Sequence, residues 1–281
     1  MIVFLNGKFV PEERAVVSIF DRAFLLGDGL FETILIFNGK PFCWQEHLKR
    51  LQCGTKFLKI KLPFMPKQLR DAADKLIAKN KMSNALLRIV LSRGVGQRGY
   101  LPKGANQPTL VMSLHRAPEL NFKNPPPWKL ITSSFRLPAN EPLAQFKTCN
   151  KLSQIMARAE ADAAGADEAL LLNTDGFVVE GASSNLFWIE GKTVCTPPLA
   201  AGILAGVTRG TILKICRRLK IPIREKNVQP KDLARKDGAF VSLSSFGIVE
   251  AKSLNRKILK RSPLTKQIAR AYNEILTQEI E

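Results

Sequence analysis

Acidic side chains are scarce in this chain. Its 281 residues hold 24 Asp or Glu against 43 Lys or Arg, a formal net charge of +19. Histidine is rarer still, at two residues, and the five cysteines (Cys43, Cys53, Cys149, Cys195, Cys216) are odd in number, scattered and never spaced as CxxC. These shortages leave no basis for a Cys/His metal site, so no metal is expected, and the expected compartment is a reducing cytoplasm. Long apolar runs are missing too. No stretch approaches the ~20 residues of a membrane span, and residues 1–7 are too short and too soon broken for a signal peptide. No membrane association is expected.

The acid deficit raises nucleic acid as a partner and a basic binding protein as the non-enzyme alternative. Yet the basic residues are spread along the chain, densest over 49–70, 214–236 and 252–261, with no terminal tail. The aromatic residues are mostly Phe in apolar contexts, as a core demands, and offer no evident stacking platform. No nucleic-acid partner is expected; a field that draws in anionic metabolites explains the charge equally well.

What is present is ordinary globular material, 45% hydrophobic and 24% charged, enough for one large or two modest domains. Asn6-Gly7 and Asn38-Gly39 each sit between apolar runs and predict hairpins. A further short strand is expected over 16–20, and strands over 33–37, Ala85–Ser92 and 108–114. Helical spacing predicts helices over 45–58 and 67–81. Pro125-Pro126-Pro127 marks 116–128 as a linker between a domain over 1–115 and a larger one over 129–281. Beyond it, a helix over 150–164 carries Leu152, Ile155, Met156 and Ala159 at helical spacing, read as its core face. Strands over 130–135, 168–173, 177–180, 185–189, 193–196 and 239–243 and helices over 208–219 and 265–280 complete the series. The pattern is α+β.

Four loops could present polar groups at element ends, where sites are usually built. The Gly202–Gly206 turn runs into a helix at Val207-Thr208 and offers free N–H groups and a hydroxyl, apt for a phosphate dianion. An ordinary capped helix reads the same way. Ser242-Leu243-Ser244-Ser245 supplies hydroxyls at a strand end. Glu180 closes the apolar run Phe177-Val178-Val179, where a carboxylate could keep a pyridine nitrogen protonated. Arg98 and Tyr100, on a Gly-rich loop, could clamp a substrate carboxylate, because a guanidinium fork matches a carboxylate bidentately. Each is weak alone, as is Lys147, one of 43 basic residues.

Together they resemble a known family. Lys147-Thr148-Cys149-Asn150, Glu180-Gly181-Ala182-Ser183-Ser184-Asn185-Leu186-Phe187 and Gly202-Ile203-Leu204-Ala205-Gly206-Val207-Thr208-Arg209 look like the ordered signatures of the class IV aminotransferases, the fold-type IV pyridoxal phosphate enzymes. Asp21-Arg22-Ala23, Gly27-Asp28-Gly29-Leu30-Phe31-Glu32-Thr33 and His47-Leu48-Lys49-Arg50-Leu51 match as well. The resemblance covers nearly the whole chain. It implies a small α/β-sandwich domain followed by a pseudo-barrel domain, and a homodimer in which the partner's loops complete each site. It implies pyridoxal 5'-phosphate as cofactor, with Lys147 as the Schiff-base lysine and proton shuttle and Glu180 at the pyridine nitrogen. Arg50, Ser184, Val207, Thr208 and Ser244 would also contact the cofactor, and Phe31, Arg98, Tyr100 and Ser245 the substrate.

Within the family, branched-chain enzymes commonly carry a tyrosine five residues after the lysine; here that residue is Leu152. Arg98-Gly99-Tyr100 sits where D-amino-acid enzymes carry an Arg-x-His clamp, while the fuller string from Ser92 to Tyr100 looks more like 4-amino-4-deoxychorismate lyase. The expected activity is amino-group transfer between a D-amino acid and a 2-oxo acid, with the lyase giving 4-aminobenzoate and pyruvate as the alternative and L-branched-chain transamination third.

Overall fold

A computed structural model describes residues 1–117 and 125–278. The chain divides into two compact units. The first holds β1 (Ile2–Leu5), β2 (Lys8–Pro11), α1 (Arg22–Leu26), β3 (Gly29–Phe37), β4 (Lys40–Pro41), α2 (Trp44–Leu58), α3 (Pro66–Asn80), β5 (Ala85–Ser92) and β6 (Thr109–Arg116). It also takes in Phe146–Asn150, which lie within the stretch assigned from sequence to the second domain. The linker expected over 116–128 falls largely on residues outside those described.

The six strands form one antiparallel sheet in the order β2-β1-β6-β5-β3-β4. Both expected hairpin turns form, with Asn6-Gly7 and Asn38-Gly39 all at positive φ, as the tight turn between twisted strands requires. Alternation along β5 and β6 turns Leu87, Ile89, Leu91, Leu110, Met112 and Leu114 onto one face of the sheet. There they meet the apolar stripes of α2 (Leu48, Leu51) and α3 (Leu69, Ala73, Leu76) in one core.

Residues 16–20, expected as a strand, form none; Val16, Ile19 and Phe20 are exposed. A short helix, α1, was not foreseen. Asp21 caps it by accepting from Ala23 N at 2.8 Å, and Gly27 ends it at φ +68°.

The second unit holds β7 (Trp128–Leu137), α4 (Leu152–Ala163), β8 (Glu168–Asn173), β9 (Val178–Gly181), β10 (Asn185–Glu190), β11 (Thr193–Thr196), α5 (Val207–Arg218), β12 (Ile223–Glu225), α6 (Pro230–Leu233), β13 (Gly238–Leu243), β14 (Gly247–Leu254), β15 (Lys257–Ile258) and α7 (Pro263–Gln278). Six of its strands close on themselves in the order β10-β13-β14-β7-β8-β9, the last joint being the pair Glu180↔Asn185. Every strand of the ring contributes to one apolar filling, with Leu130, Leu170, Val178, Leu186, Trp188, Val241 and Val249 among its members. This is the pseudo-barrel of the expected α+β fold.

On the outer face, Phe187 and Phe240 stack with centroids 4.9 Å apart, and α5 and α7 pack against β13. The hairpin β13–β14 turns through Ser244-Ser245-Phe246 to Gly247 at φ +68°. The sequence reading assigned no strand to β14.

Helix α4 reverses its expected face. Leu152, Ile155, Met156 and Ala159 are exposed or half-buried, and Ala157 and Ala161 are the residues buried against Ala169, Leu171 and Val179. Small alanines let the helix lie close to the sheet, so its larger apolar side chains face outward. Among the described residues no helix is long and apolar enough to cross a membrane.

Candidate active site

In the first unit the site is built along the edge of β3. Phe31 N donates to Lys147 O at 2.8 Å, Cys149 N donates to Gly29 O at 2.9 Å, and Leu30 and Thr148 bridge between them. Residues 147–149 thus run beside β3 as an added antiparallel segment, fixed through main-chain atoms. Phe146 anchors its start against Phe57, ring centroids 4.5 Å apart. The Lys147 side chain then lies over the Phe31 ring, Nζ 4.5 Å from its centroid.

A second cation shares that ring. The Arg88 guanidinium carbon is 3.7 Å from the Phe31 centroid, and Arg88 Nη1 donates to Thr33 Oγ1 at 3.3 Å. Burial pushes the Arg88 pKa down, with Cys149 and Glu32 pulling the other way. Arg88 is half-buried, and among the described residues no carboxylate forms an ion pair with it. Arg88 was missed from sequence. The available signal was one charged residue inside the apolar strand Ala85–Ser92.

On the opposite face of β3, Glu32 is buried and takes Arg50 bidentately, Nε to Oε1 at 2.8 Å and Nη2 to Oε2 at 2.6 Å. His47 Nδ1 lies 2.7 Å from the same Oε2. Burial pushes the Glu32 carboxyl up, but Arg50 and His47 outweigh it and hold the pKa at about 2. Burial drives His47 the other way, below its ordinary value. Arg50, expected at the phosphate, therefore has its guanidinium plane fixed by Glu32.

The Gly-rich loop is pinned at its base. Asp28 accepts from Arg22 at 2.7 Å and Arg93 at 2.8 Å, and Arg22 donates onward to Gly99 O and Tyr100 O. Burial raises the Asp28 pKa, but the two arginines outweigh it and leave it below the usual carboxylate range. Beyond this anchor Arg98 is exposed and Tyr100 is 87% exposed.

In the second unit, Glu180, Asn185 and Ser242 stand in register on β9, β10 and β13. An extra residue, Val179, falls between the pairs Leu172↔Val178 and Leu171↔Glu180. This bulge turns Glu180 away from the filling that Val178 joins. Glu180 Oε2 accepts from Leu204 N at 2.8 Å and from Asn185 Nδ2 at 3.4 Å. The Leu204 loop leads to Gly206, the N-cap of α5, where no side chain caps the helix. The first-turn N–H groups at Val207 and Thr208 have no partner within the helix, and the positive end of its dipole points the same way.

The Ser242 hydroxyl is fully buried and has no hydrogen-bond partner among the described residues. Such a group costs about 1–3 kcal/mol unless a ligand or water meets it. Ser184, expected at the cofactor, donates to buried Glu168 at 3.0 Å, beside Ser183 Oγ at 2.7 Å. Those bonds hold the turn between β9 and β10. Ser244 and Ser245 are half-buried in the β13–β14 turn.

The family model for class IV amino-transferases matches residues 29–254. This chain belongs to the class IV aminotransferases. Over 99% of its length it is 33% identical to a Methanocaldococcus jannaschii protein provisionally named a branched-chain-amino-acid aminotransferase, covering 97% of that relative. It is 29% identical to the aminodeoxychorismate lyase of Bacillus subtilis, over 88% of this chain and 85% of the relative. It is 28% identical to the D-alanine aminotransferase of Bacillus licheniformis, over 99% and 98%. Among solved structures, the branched-chain aminotransferase of Thermoproteus uzoniensis with norvaline superposes with a TM-score of 0.91 at 30% identity, covering 99% of this chain and 96% of that one. Three activities thus surround this class IV member at similar distance.

Proposed function

We propose that this class IV enzyme is a pyridoxal-phosphate-dependent transaminase, moving an amino group between an amino acid and a 2-oxo acid, with Lys147 as the residue that carries the cofactor. The observation behind it is the seating of Lys147, main chain fixed to β3 and Nζ over Phe31. The residues present fit the cofactor. The uncapped start of α5 suits a phosphate, and Glu180, turned outward by the Val179 bulge, suits a pyridinium. When bound, the cofactor supplies an electron sink at the substrate α-carbon.

The chain's own groups do the rest. Val207 and Thr208 donate to the phosphate, with Arg50 and Ser244 assigned beside them. Glu180 holds a proton at the ring nitrogen. Lys147 Nζ takes the α-proton and returns it. Arg88, a half-buried cation with no acidic partner among the described residues, receives an anionic group of the substrate near Phe31. The exposed Arg98 and Tyr100, with Ser245, are assigned to substrate carboxylate binding.

The D-amino-acid reading rests on the Arg98-Gly99-Tyr100 loop, and the lyase reading on the longer string around it. Mixing holoenzyme in turn with D-alanine, D-glutamate, L-leucine and aminodeoxychorismate separates them. The expected result is a shift of the cofactor absorbance to the amine form with a D-amino acid. Formation of 4-aminobenzoate from aminodeoxychorismate alone would overturn transamination, and a protein colourless after incubation with pyridoxal phosphate would overturn cofactor use.

We also assign a homodimer. Seven large apolar side chains between Val16 and Leu26 are exposed in the first unit, as are Leu152, Ile155 and Met156 on α4 of the second. Exposed apolar clusters of this kind mark contact surfaces. Light scattering should give twice the chain mass, falling to one in Phe20→Asp/Ile155→Asp; a monomeric wild type would refute the assignment.

A further inference from the structure

Asn185 bonds to both the carboxylate and the loop that leads into α5. It is 5% exposed, at the start of β10. Its amide has two N–H donors, and both are used: Nδ2 donates to Leu204 O at 3.0 Å and to Glu180 Oε2 at 3.4 Å. Leu204 N closes the triangle by donating to that same Oε2 at 2.8 Å. The amide oxygen faces Gly206, where a Cβ would lie 1.9 Å from Asn185 Oδ1. Glycine at 206 is thus what lets the loop settle onto Asn185, and the residue after it opens α5.

We infer that Asn185 is a positioning residue that locks the Glu180 carboxylate and the start of α5 into one register, so that one side chain sets both the proton-holding group and the anion seat. This rests on the reading of Glu180 and α5 as cofactor contacts. Without Asn185, Glu180 loses one of these two donors, and Leu204 O loses its side-chain partner. The loop is then free to shift relative to β9. The same slackening follows if a methyl group at residue 206 pushes the loop away while Asn185 stays intact.

The test compares Asn185→Ala, Gly206→Ala and Glu180→Gln with wild type. Three readouts are taken: cofactor retention, the pH at which the bound cofactor's absorbance changes, and hydrogen exchange at the Leu204 amide. A hydrogen bond to a charged group is worth about one to two powers of ten in affinity. Asn185→Ala and Gly206→Ala should therefore each weaken cofactor retention roughly ten-fold or more and speed Leu204 exchange. Both should move the absorbance transition in the direction seen in Glu180→Gln, and kcat should fall more than KM changes. If Glu180→Gln shifts the transition while both alanine variants titrate like wild type, the inference is overturned and the reading of Glu180 stands. If Glu180→Gln also titrates like wild type, that reading fails and the inference with it. Should Asn185→Ala not fold, Gly206→Ala carries the test alone.

Discussion

Lys147→Ala should yield a folded protein that binds the cofactor without a covalent link and turns over at least about 10²–10⁴-fold more slowly, the range lost with a positioned proton-transfer group. Folding should survive because the segment is held by its main chain. The bonds from Phe31 N and Cys149 N need no lysine side chain. Retention should weaken without vanishing, since the α5 seat and Glu180 lie elsewhere. Borohydride reduction followed by mass spectrometry reads the covalent link directly: wild type should carry a phosphopyridoxyl group at Lys147, the cofactor's mass less one oxygen, and the variant none. Lys147→Arg sharpens the result. It keeps a cation over Phe31, but a guanidinium is effectively never deprotonated and cannot accept the α-proton. A variant that retained wild-type turnover would remove Lys147 from the mechanism.

The second large effect should come from Glu180→Gln. Glutamine keeps the length of the side chain and an oxygen to accept from Leu204 N and Asn185 Nδ2, so the loop geometry should be preserved. What disappears is the negative charge that, in the proposed role of Glu180, favours a proton on the ring nitrogen. An unprotonated ring is a poor electron sink, and kcat should fall on the order of 10²–10³-fold, comparable to loss of a preorganised electrostatic group. KM and cofactor retention should move much less. Single-turnover measurements of α-deuterated against protiated substrate locate the loss at proton removal. Wild-type turnover would sink the assigned role.

The sequence made Lys147 and the Glu180, Gly206 and Thr208 loops legible because each belongs to an ordered motif, and glycine, turn and helix-start chemistry is local. Local signals also found Asn6-Gly7, Asn38-Gly39 and the whole of β5. What escaped depends on what lies opposite. Periodicity showed that α4 has an apolar stripe, but it could not tell that Ala157 and Ala161 would be buried while Leu152 and Ile155 faced outward. Residues 16–20 have strand composition and no strand to pair with. The Val179 bulge is a mismatch between two strands, visible only when both are seen. Arg88 carries no motif of its own, and only the shared Phe31 ring, with Lys147 over it as well, singles it out. Ser184 lies in a cofactor motif, and the bond its hydroxyl donates to Glu168 is one no local pattern indicates.

The pairing of residues 147–149 with β3 also bears on how the chain is made. Gly29 O and Phe31 N find their partners in residues far down the sequence. While the N-terminal unit emerges from the ribosome, that stretch of β3 has no one to bond with, even after β5 has covered its other edge. An unpaired strand edge is a template for any neighbouring chain, and long loops close late. The same few residues that bring the lysine to its place thus also cap an adhesive edge, and a truncated chain ending before Phe146 loses both at once.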